Sequence, residues 1–181
     1  VAPQPFRDIL PTIKQDVPNP KGKIAIFTGC LLDFVYVDIA TDVVKALNMA
    51  GYIVEMPLGQ ACCGAPATYM GDVENAKKAA EMNLNAMEAE KYDYIVSACP
   101  TCTHALRDYV DFFKDDPEML KKAEALRSKT FDFCKLVSML GGLPDTGDGV
   151  PMKVTYHDSC HLNRYLGVTK EQRELLKATK G

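Results

Sequence analysis

The chain has 181 residues, 21 basic and 24 acidic side chains, a net charge of -3, 47% hydrophobic residues and 25% charged ones. That length supports one domain with a real core, and the near-balanced charge argues against a nucleic-acid partner or a polybasic membrane contact. Apolar runs such as 23–27 and 51–54 are far too short to cross a bilayer, and no basic start followed by a long apolar stretch marks an export signal, so a cytoplasmic location is expected.

Residues 1–21 carry Pro3, Pro5, Pro11, Pro18 and Pro20 and read as a proline-rich linker outside the core. Lys23–Thr28 is the first expected strand, short, apolar and β-branched, ending at Gly29-Cys30. Ala40, Val43, Val44 and Leu47 then share one helical face, and Gly51 stops that helix. Tyr52–Leu58 is the second strand, closed by Gly59. After Cys62-Cys63-Gly64 and a loop, Asp72 caps a helix that carries Val73, Ala76, Ala80, Leu84 and Met87 on one face. Tyr92–Ala98 is the third strand, ending at Cys99, and Pro100 suits the first turn of a helix with Leu106, Val110 and Phe113. Asp116-Pro117 opens a helix to about Arg127, and Phe133, Leu136, Val137 and Leu140 suggest another. A turn-rich stretch from Gly141 to Gly149 precedes Met152–Tyr156, the expected fourth strand, which runs into Cys160; a short helix covers roughly 170–178.

Strands alternating with helices imply an α/β fold: an open, mainly parallel sheet of about four strands with helices on both faces. Cys30, Cys62, Cys63, Cys99 and Cys160 then sit at or just past C-terminal strand ends, the edge at which such sheets bind ligands. Residues distant in sequence are thereby expected to converge.

Seven cysteines, an odd number, in a chain of this size without an export signal make a disulfide framework the weaker reading. Five of them form the pattern C-x31-C-C-G-x34-C-x-x-C. Thiolates are the soft donors that iron–sulfur clusters require, although four of them would also suit tetrahedral zinc. Cys99 and Cys102 alone could form a dithiol redox pair at a helix start, which would leave the other three unexplained. Cys134, beside Phe133 and Leu136, reads as a small buried hydrophobe. His104 and His161 read as helix-start residues near solvent, His157 and Asp158 as a cap for the last helix, and Asp115, Asp116 and Glu118 as a solvated helix start. Phe34, Tyr36 and Tyr69 would shield the cysteine loops. No glycine-rich phosphate loop follows the first strand, so nucleotide binding is not expected.

Phe27-Thr28-Gly29-Cys30, Ala61-Cys62-Cys63-Gly64-Ala65-Pro66 and Ser97-Ala98-Cys99-Pro100-Thr101-Cys102 resemble the three motif segments of the cysteine-rich CCG domain family. That family includes iron–sulfur subunits of the heterodisulfide reductase, glycolate oxidase and lactate-utilisation types. The resemblance implies that Cys30, Cys62, Cys63, Cys99 and Cys102 hold an iron–sulfur cluster, [4Fe–4S] or a non-cubane form in which one of the adjacent cysteines bridges. Gly64 would supply a positive φ beside it. Helix N-termini after Cys63 and Cys102 would aim N–H groups at the anionic centre and raise its potential. The implied function is electron transfer between a flavoprotein or another iron–sulfur subunit and an acceptor, in a 2-hydroxy-acid dehydrogenase complex. The alternatives are disulfide reduction at the cluster, as in heterodisulfide reductase, and a zinc-binding docking module. Membrane association would come only through partners. On this reading residues 22–151 form the CCG domain. Tyr156–Leu162 resembles the opening of a second copy, so 152–181 would be the start of a truncated repeat, in a piece of a longer polypeptide, with Cys160 as an extra ligand.

Overall fold

Four short strands form a single sheet in the computed structural model, which describes residues 1–144, 149 and 152–179. They are β1 (Gly22–Ile26), β2 (Tyr52–Glu55), β3 (Tyr94–Ser97) and β4 (Thr130–Asp132). All pairs are parallel, in the order β2-β1-β3-β4. The chain therefore steps one way from β1 to β2, crosses back over β1 to β3, and continues to β4.

That reversal decides which face each helix covers, because parallel crossovers are right-handed. The β1–β2 connection holds α2 (Gly29–Phe34) and α3 (Val37–Met49), and the β2–β3 connection holds α4 (Ala65–Tyr69) and α5 (Val73–Met87). Val43, Val44 and Leu47 of α3 pack with Ile24, Ile26, Val54 and Val96 on one face of the sheet. Ala80, Leu84 and Met87 of α5 pack with Ala25, Phe27 and Ile95 on the other. Leu106 of α6 (Pro100–Asp108) and Leu126 of α7 (Pro117–Lys129), both between β3 and β4, join the α5 side. Leu136 and Val137 of α8 (Phe133–Met139) return to the first face. Strand residues thus alternate between two buried faces, as a doubly covered parallel sheet requires. Asp72 and Asp116 cap their helices as expected, each carboxylate accepting a main-chain N–H three residues on.

Two expectations need correction. Met152–Tyr156 is not the fourth strand: it carries no regular structure, and Met152 and Val154 are exposed. A strand of this sheet must be covered on both faces, and that position is taken by Thr130–Asp132, directly after α7, with Thr130 and Asp132 buried. The proline-rich lead-in also contributes to the core. Its short helix α1 (Phe6–Ile9) and the 3-10 turn Leu10–Thr12 bury Phe6 and Leu10 against Leu47 and Val54 on the α3 side. Full burial of one such aromatic contributes about 2 kcal/mol. The expected turn-rich stretch at 141–149 lies partly outside the described residues.

The outer side of β2 is occupied by a side chain. Gln15 donates from Nε2 to the Val54 carbonyl and accepts the Val54 N–H at Oε1, both at 2.8 Å, and Asn48 donates to the same Oε1. The last helix, α9 (Glu171–Ala178), is tied to α8 by an ion pair between Lys135 and Glu171 at 2.7 Å.

Candidate metal centre

In open α/β sheets, ligands bind where the direction of chain progression reverses, outside the C-terminal strand ends. Here that point lies between β1 and β3. Cys30 follows β1 in the first turn of α2; Cys99 follows β3, and Cys102 lies in the first turn of α6. The Cys62-Cys63-Gly64 loop arrives from β2 on the other side of β1.

The structure brings these five cysteines to one end of the molecule. The Cys102 sulfur lies against Gly29: a Cβ built on that glycine would come 3.2 Å from it. Cys102 lies near enough to the sulfurs of Cys63 and Cys99 for the three thiols to shift one another. Cys30 and Cys62 line a common cavity of about 120 Å³ with Arg7, Thr28, Phe34 and Gln60. Cys63 and Cys102 are buried, Cys99 is half-buried, and Cys30 and Cys62 are exposed. This group of thiols therefore has a buried floor and an open rim.

The loops carrying these thiols are held by polar side chains that sequence reasoning did not single out. Gln60 accepts the Thr28 N–H at Oε1, 3.1 Å, and donates from Nε2 to the Ile26 carbonyl, 2.9 Å. It thereby pins the Cys62 loop to the end of β1. Beneath the loop, Asn83 accepts the Ala61 N–H at 2.8 Å and donates to the Cys62 carbonyl at 2.9 Å. It also donates to the Tyr109 hydroxyl, which in turn donates to the Cys63 carbonyl at 3.0 Å. Asn83 and Tyr109 are both buried, so each of these bonds replaces a desolvated group that would otherwise be unpaired. Gly64 has φ +80°, as anticipated, and a Cβ there would press on the Ala76 carbonyl oxygen at 3.2 Å. A single Cys-Cys-Gly turn with this packing cannot accept a larger residue without moving α5.

The thiols are unequal. Interaction with the Cys63 and Cys99 sulfurs, followed by burial, drives the Cys102 thiol far up. The same interactions lower Cys63 to about 7 and Cys99 to about 6. Main-chain N–H groups add to this: Ala65 donates to the Cys63 sulfur, and Thr101 and Cys102 donate to that of Cys99. The Cys62 thiol is raised, first by partial desolvation of a sulfur that is otherwise on the exposed rim, although the Gly64 N–H partly offsets it. These are main-chain donors directed at anionic sulfur, the arrangement that tunes a thiolate-bound centre. Five convergent thiols with N–H donors fit an iron–sulfur group. Among the described residues no three His, Cys, Asp or Glu side chains are arranged to hold a single metal ion.

Cys160 follows no strand among the described residues. It opens a π-helical turn, His161–Tyr165, and its own thiol is exposed. The neighbouring His161 is the residue that reaches the site: Nε2 lies 2.7 Å from the Tyr69 hydroxyl, and Nδ1 lies 3.4 Å from Thr101 Oγ1 between Cys99 and Cys102. His104 is not a solvent-facing residue either, since its ring packs on Tyr165 at 4.4 Å and its Nε2 lies 3.0 Å from Asp108. Asp158 pairs with Arg173 of α9 at 2.6 Å rather than capping that helix. Cys134 is half-buried just past β4, and burial pushes its thiol up to about 11.

Comparison with known proteins agrees with this geometry. The CCG family, described as a cysteine-rich domain, matches residues 24–107 and 154–181. The chain is 37% identical over 159 residues to lactate utilization protein A of Bacillus velezensis and 36% identical to that of Bacillus subtilis, covering 88% of this chain in each case. It spans 66% of the length of those relatives. No helix of the described residues is long and apolar enough to cross a membrane. The motif spacing, the convergence of the thiols at one sheet edge and the family match lead to one conclusion: the chain belongs to the CCG cysteine-rich domain family.

Proposed function

We propose that this chain is an iron–sulfur electron-transfer domain, and that Cys30, Cys62, Cys63, Cys99 and Cys102 are the ligands of its cluster. When bound, such a cluster supplies a one-electron carrier whose potential is set by its ligands and hydrogen bonds. The carrying observation is the meeting of five thiols from three separate loops at the β1/β3 reversal, on main chain already furnished with N–H donors. This chain's own residues bind and orient. Gln60, Asn83 and Tyr109 hold the loops, the buried floor excludes water from Cys63 and Cys102, and the exposed rim at Cys30 and Cys62 faces the approach of a partner. Cluster type, [4Fe–4S] or a non-cubane relative of it, belongs to this proposal, as does Cys160 as an added ligand from a second repeat beginning near residue 152.

Similarity to lactate utilization protein A supports a place in lactate utilisation; within this proposal the chain belongs to a 2-hydroxy-acid oxidising complex in the cytoplasm, with a flavoprotein or a second iron–sulfur subunit as partner. A second reading, disulfide reduction at the cluster, is favoured by the open cavity between Cys30 and Cys62. Iron and sulfide quantification with EPR on anaerobically prepared protein tests the assignment, using wild type and Cys62→Ser. A cluster signal lost in the variant is the expected result; zinc without iron or sulfide would overturn the proposal and favour a docking module. A disulfide that perturbs the EPR signal would favour the second reading.

A further inference from the structure

Among the described residues, two buried side-chain polar atoms have no hydrogen-bond partner, and one of them is Thr28 Oγ1. Buried hydroxyls are rarely left unpaired, and the exceptions mark a missing partner or a functional role. Thr28 is 1% exposed and lines the cavity shared by Cys30 and Cys62. It precedes α2 in the N-cap position, yet its hydroxyl makes no cap bond there. Its main-chain N–H is already given to Gln60.

The other polar side chains around that cavity, Gln60 and Arg7, already have partners. Gln60 spends its amide on the Thr28 N–H and the Ile26 carbonyl. Arg7 donates from Nε to Asp33 Oδ2 at 2.7 Å and also from Nη2 to the same carboxylate, while its guanidinium lies over the Phe34 ring. Among the described residues the Thr28 hydroxyl is therefore the buried side-chain donor on the Cys30 side of the site that lacks a partner.

We propose that Thr28 Oγ1 donates a hydrogen bond to a sulfur of the group held between Cys30 and Cys62, and that this bond raises the reduction potential of that group. The inference rests on the iron–sulfur reading above. Reduction adds negative charge to the sulfurs, so a donor aimed at them stabilises the reduced state more than the oxidised one.

Anaerobically reconstituted wild type, Thr28→Ser, Thr28→Val and Thr28→Ala separate the two ideas. Wild type that takes up neither iron nor sulfide overturns the iron–sulfur reading, and this inference with it. With iron and sulfide at wild-type levels in all four, the expected result is a more negative midpoint potential in the Val and Ala variants. Ser should retain the wild-type value. The iron–sulfur stretching bands in resonance Raman should lose part of their shift between H2O and D2O in Val and Ala but not in Ser. Equal potentials and equal isotope shifts in all four, with full clusters, would overturn the hydroxyl's role while leaving the cluster assignment intact. If Val and Ala fail to hold iron, the metal-free proteins decide: melting with wild type supports the proposal. A collapse of the metal-free variants would overturn it, by showing that the hydroxyl supports the fold rather than the cofactor.

Discussion

Tyr109 donates a hydrogen bond from its buried phenol to the Cys63 carbonyl, 46 positions away in sequence. The 3-10 turn that follows α6 thereby fixes the height of the Cys-Cys-Gly loop above the sheet. Tyr109→Phe leaves the Cys63 carbonyl and one Asn83 N–H without their partner, in the buried floor beneath the loop. The expected loss is about 1–3 kcal/mol of stability, the usual cost of a buried unpaired group. Urea unfolding of the metal-free protein checks it, and the reconstituted variant should lose iron faster in air than wild type.

Gln60 is expected to matter for a different reason. Its amide acts as a two-pronged extension of the sheet at the end of β1, so Gln60→Ala strands the Thr28 N–H and the Ile26 carbonyl together. A stability loss of about 1–3 kcal/mol should accompany altered cluster EPR line shape, because the Cys62 side of the cavity is released. Gln60→Glu retains one acceptor and should restore the Thr28 contact but not the one to Ile26. Its stability should fall between those of wild type and the alanine variant.

At Gly64 the constraint is steric. Any side chain must adopt φ +80° and also press on the Ala76 carbonyl of α5. Gly64→Ala is expected to cost roughly 1–2 kcal/mol for the left-handed backbone alone, with more added by the contact. Iron uptake per chain, measured after anaerobic reconstitution, should fall well below wild type while far-UV circular dichroism of the sheet is retained.

The ion pair that ties α9 to α8 carries a pH dependence. Hydrogen bonding from Lys135 holds the Glu171 carboxyl down at about 2, below its ordinary value of 4.5. A carboxyl depressed in the folded state stabilises it above the unfolded pKa, and that contribution is lost as pH falls from about 4.5 toward 2. Amide protection of α9 followed by NMR should therefore be constant from neutrality to pH 5 and decline below it. Glu171→Gln should show weaker protection at neutral pH and little further change on acidification.

Much of this architecture could be read from residue pattern. The helical faces at Val43–Leu47 and Ala76–Met87, the caps at Asp72 and Asp116, and the placement of Cys30 and Cys99 just past strand ends all follow from periodicity and turn chemistry, and the structure reproduces them; Cys62 and Cys63 lie in a loop further beyond β2. What periodicity missed depended on length or on long-range pairing. β4 is three residues long and abuts two helices, too short to show an alternation. Phe6 is a lone aromatic among prolines, and only the assembled α3 face shows that it is buried. Asn83 left one trace: it falls at the helical spacing of Ala76, Ala80 and Met87, a polar residue on an apolar face. Such a residue is tolerated when it has partners, and here they are the main chain of the thiol loop. Gln60 left none, since a polar residue in a loop is the common case. Cys160 misled because a plausible β-rich run precedes it, while the sheet had already been completed by Thr130–Asp132.

The Gln15 side chain has a consequence for how this protein behaves in company. A free sheet margin offers unpaired main-chain groups to any passing polypeptide, and growth by strand capture follows readily. At Val54 both groups are already satisfied by one amide, oriented by Asn48. At that point of β2 strand capture is blocked, so Gln15 and Asn48 together give this margin part of the protection that other folds obtain from a covering helix.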